Sequence, residues 1–218
     1  MILQLILLIL AAYVVGATPF GFLMGKAKGL DIRNHGSGNI GATNVLRIVG
    51  KKEGILVFIL DVLKGLVPVL VGRLIAEGIL GSESADWLST VCVLIALAAI
   101  LGHNHTFWLG FKGGKGVATS GGALVALIPW AVLAAAIVWG LVFFAKRYVS
   151  LASICAAVTI PIAVVVEGLV RGRHEIPLVI LSIVVAMLGI WRHRANIGRL
   201  MAGTESRMGK NTKGKNES

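Results

Sequence analysis

The segment Gly102-His103 to Phe111-Lys112-Gly113-Gly114-Lys115-Gly116-Val117-Ala118-Thr119 holds the densest chemistry in the chain. It sets His103, His105, Lys112, Lys115 and three clustered glycines between two runs of membrane-grade hydrophobicity. Glycines lack a Cβ, so backbone N–H groups can converge on an anion, and lysines supply the opposing charge. The apolar run from Val117 predicts a helix whose N-terminus also favours an anion. The residue types point to a phosphate binder at a membrane surface. The plain alternative is a flexible basic loop.

Two other polar segments offer comparable groups. Asn34-His35-Gly36-Ser37-Gly38-Asn39-Ile40-Gly41-Ala42-Thr43-Asn44-Val45-Leu46-Arg47 contains a formal G-x-G-x-x-G at Gly36, Gly38 and Gly41. That match is weak, because no strand precedes it and no βαβ unit is possible here. What remains is a polar, glycine-rich turn followed by a helical stretch ending in Arg47, or a linker with turn residues. In Trp191-Arg192-His193-Arg194-Ala195-Asn196-Ile197-Gly198-Arg199-Leu200, residues His193, Asn196 and Leu200 share one face if the helix continues. An arginine-rich anchor for lipid headgroups is the alternative there. Gly114-Lys115 is followed by Gly116, not by Ser or Thr, so the segment is not a Walker A sequence and ATP hydrolysis is not indicated.

The elements that must position these segments are membrane helices. Of 218 residues, 56% are hydrophobic and 14% charged, against roughly 25% charged in soluble domains. The chain is an integral membrane protein with little room for a soluble domain. Met1 to Leu10 lacks the basic n-region of a signal peptide, so Ile2 to about Leu23 is expected to be a retained first helix. Further candidate spans cover 54–76, 87–103, 117–145, 151–170 and 176–191. Cys92 and Cys155 both sit in apolar runs and are expected to pack rather than pair or bind metal. The net charge of +11 is dispersed over short loops, which argues against nucleic acid as a partner and for a topological role.

Segment 117–145 decides the topology. As one helix it gives six spans and separates Lys146 and Arg147 from Lys112 and Lys115. As two short helices, about 117–128 and 130–145, broken at Ile128-Pro129, it gives seven. Then 17 of the 21 Lys and Arg residues share one face, leaving Arg171 and Arg173 opposite and Lys64 and Arg73 in or near the second helix. The positive-inside rule favours the second arrangement: an all-α polytopic protein of seven transmembrane helices, N-terminus outside and C-terminus in the cytoplasm. A helix of about 14 residues reaches only about 21 Å of a ~30 Å core, so both short helices are expected to be partly re-entrant or to line a cavity.

At this point the chain resembles a known family. Gly36-Ser37-Gly38-Asn39-Ile40-Gly41-Ala42-Thr43-Asn44 with Arg47, the Gly102–Thr119 segment, and His193-Arg194-Ala195-Asn196-Ile197-Gly198-Arg199-Leu200 with Gly203 and Glu205 resemble the signatures of the bacterial membrane acyl-phosphate:glycerol-3-phosphate acyltransferases. Asp61-Val62-Leu63-Lys64-Gly65 and Arg147-Tyr148-Val149-Ser150 resemble further family elements. The resemblance runs from residue 1 to about 208, as a single domain, leaving 209–218 as a polar tail expected to be disordered.

The resemblance implies a multi-pass enzyme of the bacterial cytoplasmic membrane. It would move a fatty acyl group from acyl phosphate to glycerol 3-phosphate, giving lysophosphatidic acid and phosphate, among membrane lipids and without cofactor or metal. A soluble enzyme that forms acyl phosphate is an implied partner. By resemblance, Ser37, Arg47, Lys112, Ser150 and Asn196 contact glycerol 3-phosphate, and backbone N–H groups around Gly113, Gly114 and Gly116 bind the acyl phosphate, with Lys115 screening its charge. An acyl phosphate is an activated mixed anhydride, so the glycerol hydroxyl can attack directly, and the protein's task is to orient two anions and stabilise developing charge. His103 and His193 are candidate bases, with Ser37, Arg47 and Asn196 completing the catalytic group; the donor's own phosphate is the stronger candidate proton acceptor.

Other residues carry weaker expectations. Asp61 and Lys64 lie on one helix face, as an internal ion pair or as a substrate contact. Glu205 is expected to pair with Arg199 or Arg207. His35, His105 and His174 are expected in loops, and Trp87, Trp108, Trp130 and Trp191 in interfacial belts. No histidine has an aspartate five positions later, as acyltransferases using acyl-CoA or acyl carrier protein usually do. A transporter for an anionic phosphate compound is the rival function, but no repeat relates the two halves.

Overall fold

The computed structural model describes residues 1–81, 85–172 and 175–209, with only the backbone of 85 and 86. Arg173, His174 and the tail from 210 lie outside the described residues. Every regular element described is helical: α1 (Ile2–Gly16), α2 (Phe20–Ala27), α3 (Ala42–Ile48), α4 (Lys51–Leu80), α5 (Ala85–Asn104), α6 (Val117–Val125), α7 (Pro129–Lys146), α8 (Val149–Arg171), α9 (Ile176–Arg192) and α10 (Arg194–Met201), with short 3-10 turns at 32–34 and 107–109.

The all-helical membrane fold matches expectation, with two refinements of its spans. The first span is broken at 17–19, before Pro19, and runs on to Ala27. Segment 117–145 is two helices, as the charge distribution required. Among the described residues five helices are long and apolar enough to cross a membrane, six if the bent pair α9–α10 is taken as one span. Seven full-length spans are not reached. α6 has nine residues and covers only about 14 Å. α7 is longer than expected, at 18 residues with Pro129 in its first turn, where a missing N–H costs nothing.

Because α6 starts and α7 ends at the same end of the bundle, Lys146 and Arg147 lie with the glycine segment. The Met208 N–H donates to Arg147 O at 2.8 Å, tying the third polar segment to the α7–α8 corner. The reversal after α6 is what gathers the three polar segments at one end.

Small residues let the helices approach closely, as expected where lipid removes the hydrophobic drive between them. A Cβ on Gly65 would meet Thr119 O and one on Gly122 would meet Val62 O, so α4 and α6 touch backbone to backbone. Gly16 and Gly102 do the same for α1 and α5. The break at 17–19 frees carbonyls that side chains then satisfy: Thr106 Oγ1 donates to Ala17 O at 2.5 Å and Lys64 Nζ to Thr18 O at 2.7 Å. On α7, Leu133, Ile137, Leu141 and Phe144 are exposed, a face suited to lipid. Cys92 is buried and Cys155 half-buried, both unpaired. Trp87, Trp108, Trp130 and Trp191 are all exposed near helix ends.

Candidate active site

The polar end of the bundle holds a cavity of about 400 Å³. Its walls come from all three polar segments: Arg33 and Ser37 to Ile40 from the first, Lys112, Gly113 and Lys115 from the second, and Arg192, Arg194 to Asn196 and Arg199 from the third. Six of these side chains are cationic and none is a carboxylate, so the cavity concentrates positive potential where water is partly excluded.

Each wall is shaped by local structure. In the first segment, Asn44 is buried and its amide donates to His35 O at 3.0 Å and Asn39 O at 2.9 Å, while its Oδ1 accepts from the Ser37 N–H at 3.0 Å. The turn therefore closes on the side chain of the helix that follows. Gly36 and Gly38 take positive φ, which the turn requires and glycine permits. The asparagine, not the glycine pattern, organises this loop, and no nucleotide fold is involved.

In the second segment, Gly110 and Phe111 are both left-handed, at φ 61°. That conformation is unusual for an aromatic residue and sets the course of the chain into Lys112. The segment then folds back over the end of α5. The Gly113 N–H donates to Asn104 O at 3.2 Å and the Gly114 N–H to His103 O at 3.1 Å. The N–H groups of Gly113 and Gly114 thus bond protein carbonyls, at the positions where the resemblance implied an acyl-phosphate contact. A left-handed Gly116 instead starts α6, whose first-turn N–H groups carry no side-chain cap.

In the third segment the helix does not continue through His193. It breaks there, and α10 leaves at 56° from α9. His193 is 4% exposed, with Nδ1–H donating to Gly189 O at 2.8 Å, while Asn196 is buried beside the cavity. His193 is thus the junction of α9 and α10, and Asn196 lies in the first turns of α10, so the two do not share the face of one continuous helix. Asn196 is held from both sides: its Oδ1 accepts from Lys115 Nζ at 2.5 Å, and its Nδ2 donates to Glu205 Oε1 at 2.6 Å.

Glu205 is the hub beneath the cavity. Oε1 also accepts from Ser150 Oγ at 2.7 Å, and Oε2 accepts from Arg199 Nε at 2.7 Å. Burial pushes this carboxyl up, but the three donors together outweigh it and hold it below the usual carboxylate range. Arg207 instead donates to Tyr148 OH at 2.8 Å and stacks over its ring. Ser150, expected as a substrate contact, is buried with its hydroxyl committed to Glu205. Arg47 is also absent from the cavity lining; Nη2 donates to Ser206 O at 3.3 Å, next to the hub.

His103 lies deeper. It is 4% exposed and packed under Gly114, with Nδ1 3.7 Å from Asp61 Oδ1, which Lys64 Nζ approaches to 2.7 Å. Asp61 and Lys64 are therefore an internal ion pair that anchors the α1–α2 break and underlies the glycine segment, rather than cavity groups. Of the expected site residues, Ser37, Lys112, Gly113, Lys115 and Asn196 line the cavity; His103, His193, Arg47, Ser150, Gly114 and Gly116 do not. Arg33, Arg192, Arg194 and Arg199 also line it. From sequence, Arg33 counts toward the charge distribution, and the three arginines of the third segment read as motif residues, as a headgroup anchor or, for Arg199, as a partner of Glu205. Their place in or beside the motifs is no guide to direction.

Burial lowers the Lys115 ammonium to about 8. Its charge is present below that value and lost above it, so anion binding by the cavity is expected to weaken as pH rises through about 8. Titrating inorganic phosphate affinity against pH checks this, and Lys115→Arg should carry the weakening limb beyond the measured range because guanidinium does not deprotonate.

The whole chain has relatives. Residues 6–203 match the family model described as glycerol-3-phosphate acyltransferase. A glycerol-3-phosphate acyltransferase of Desulforamulus reducens is 44% identical over 94% of this chain and 95% of its own length. One from Aquifex aeolicus is 45% identical over 92% and 97%. Among solved structures, the glycerol 3-phosphate form of PlsY (YgiH), an integral membrane glycerol 3-phosphate acyltransferase, aligns with TM-score 0.81 at 44% identity, covering 94% of this chain and 96% of that one. Its lysophosphatidic acid form aligns with TM-score 0.79 at 43% identity over the same shares. With a family-model match over residues 6–203, relatives near 44% identity and a shared fold, the chain belongs to the glycerol-3-phosphate acyltransferase family.

Proposed function

We propose that the cation-lined cavity is where glycerol 3-phosphate and an acyl phosphate meet, and that the acyl group passes directly between them. The chain is a membrane acyltransferase of phospholipid biosynthesis that acylates glycerol 3-phosphate to lysophosphatidic acid. The observation that carries the reading is the lining itself. Six cations around about 400 Å³, with Ser37 and Asn196 as neutral hydrogen-bonding groups, suit two phosphate groups better than one.

In this reading Lys112 meets the glycerol phosphate as a point charge and Ser37 orients it by hydrogen bonding. Asn196, fixed between Lys115 and Glu205, turns toward the reacting carbonyl. Arg47 and Ser150 act from below, by holding the Ser206 and Glu205 segment in place. Lys115, which lines the cavity next to the start of α6, screens the charge of the donor phosphate. A glycerol hydroxyl oxygen bonds to the acyl carbon, the bond from that carbon to the phosphate oxygen breaks with its electron pair leaving on phosphate, and the hydroxyl proton passes to the departing phosphate. His193 keeps Nε2 unprotonated when Nδ1–H is donated to Gly189, so it can assist proton transfer; His103, packed under Gly114, supports the loop.

Purified protein supplied with acyl phosphate and glycerol 3-phosphate should form lysophosphatidic acid with no membrane dividing two compartments. A transporter would not. Initial rates should give intersecting double-reciprocal lines, and a chelator should leave them unchanged, since the cavity lining has no carboxylate cage for a cation. Parallel lines, or labelled acyl chain trapped on Ser37, Ser150 or a cysteine before glycerol 3-phosphate is added, would exclude direct transfer.

The domain spans 1–208 and sits in the bacterial cytoplasmic membrane, N-terminus outside and the polar end facing the cytoplasm. A soluble acyl-phosphate-forming acyltransferase supplies the donor from that side. The basic residues at the polar end support this orientation. Cysteine-accessibility labelling should place position 146 inside and position 171 outside; labelling of 146 from outside would reverse the assignment.

A further inference from the structure

Arg192 borders the cavity, yet most of its donors are turned onto backbone. Nε donates to Gly114 O at 3.0 Å, and Nη2 donates to Gly113 O at 2.7 Å and to Gly114 O at 2.6 Å. On its other side the same dipeptide gives its two N–H groups to Asn104 O and His103 O. All four backbone polar groups of Gly113-Gly114 are therefore matched by protein. Space is equally committed. A Cβ on Gly114 would run into the His103 imidazole, and one on Gly113 into the carbonyls of residues 103 and 104. The dipeptide is a strap clamped between the end of α5 and the end of α9, and it directly connects Lys112 to Lys115.

We infer that Arg192 is a positioning residue that fixes the glycine strap, and through it the placement of both lysines against the bound phosphates. The reason is geometric. A planar guanidinium can hold two neighbouring carbonyls at once, whereas an ammonium is a point donor. Two carbonyl oxygens left free beside an anion site would repel the ligand or rotate the strap. The fork removes both outcomes and presents the lysines pre-organised. This inference rests on the anion-site reading above.

The test uses the full-length purified enzyme with Arg192→Ala, Arg192→Lys and, separately, Gly114→Ala, which disturbs the strap without removing charge. Arg192→Ala should lose about 100-fold in kcat/KM, the scale of a misplacement near 1 Å. Arg192→Lys should recover less than about a tenth of wild-type activity. Guanidinium chloride at tens of millimolar should restore Arg192→Ala, while methylammonium at the same concentration should not. Gly114→Ala should show the same loss although every cation remains. Rescue by lysine, equal rescue by methylammonium, or a Gly114→Ala enzyme like wild type would each overturn the positioning role; the first two would make Arg192 a simple cationic ligand. The series is run with whichever donor supports wild-type turnover. A failure of acyl phosphate as donor then overturns the donor assignment while the Arg192 comparison still reads out.

Discussion

Lys112→Ala is expected to cut kcat/KM for glycerol 3-phosphate by about 30- to 1000-fold, mainly through KM. The lysine lines the cavity and is itself exposed, so truncating its side chain leaves the fold intact. Losing a charge-assisted contact to a phosphate in a partly desolvated site costs about 2–4 kcal/mol, which is the stated range in rate. Arg47→Ala should fall within the same range for a different reason. Arg47 is half-buried and bonded to Ser206 O beside Glu205, so its loss should lower kcat as well as raise KM. Steady-state kinetics on membrane-intact protein separates the two. Activity within about threefold of wild type at position 112 would remove that lysine from the site.

Glu205→Ala is expected to abolish measurable turnover and to destabilise the polar end of the bundle. The carboxylate collects Ser150 from α8, Asn196 and Arg199 from α10, and its side chain is only 6% exposed. Truncating one partner of a buried, hydrogen-bonded charge costs about 3–5 kcal/mol because the others are left unpaired. Here the unpaired groups include Asn196, which then no longer fixes the Lys115 ammonium. Glu205→Gln keeps an acceptor for Ser150 and Asn196 but sets an uncharged amide against Arg199, so it should retain a small fraction of activity. A thermal melt in detergent alongside the rate assay distinguishes lost fold from lost chemistry. The same hub predicts acid sensitivity. The folded-state value lies below the ordinary 4.5, so its stabilisation is present above about that pH and fades as pH falls through the lowered value.

Sequence alone determined the class of molecule and the three polar segments that meet at the site. Hydrophobic runs of span length require membrane helices, because backbone polar groups in lipid must bond within their own segment. The distribution of Lys and Arg required a reversal within 117–145, and the helix does end at Val125 and restart at Pro129. The three polar segments were legible because glycine, lysine, arginine and asparagine in such density serve no purpose in a purely apolar bundle. Their resemblance to a family named the chemistry. Tertiary structure decided what each side chain does. Ser150 and Arg47 read as phosphate ligands by resemblance, and the structure turns their side chains onto Glu205 and Ser206 O. The glycines at 113 and 114 read as anion-binding backbone, yet their N–H groups close onto the end of α5. Arg192 read as part of an arginine-rich headgroup anchor, and its guanidinium bonds the carbonyls of that dipeptide. Residue type states what a group can bind. Direction depends on where helices break and cross: α10 leaves α9 at 56°, and the carbonyls freed at the 17–19 break are met by Lys64 and Thr106, far off in the chain.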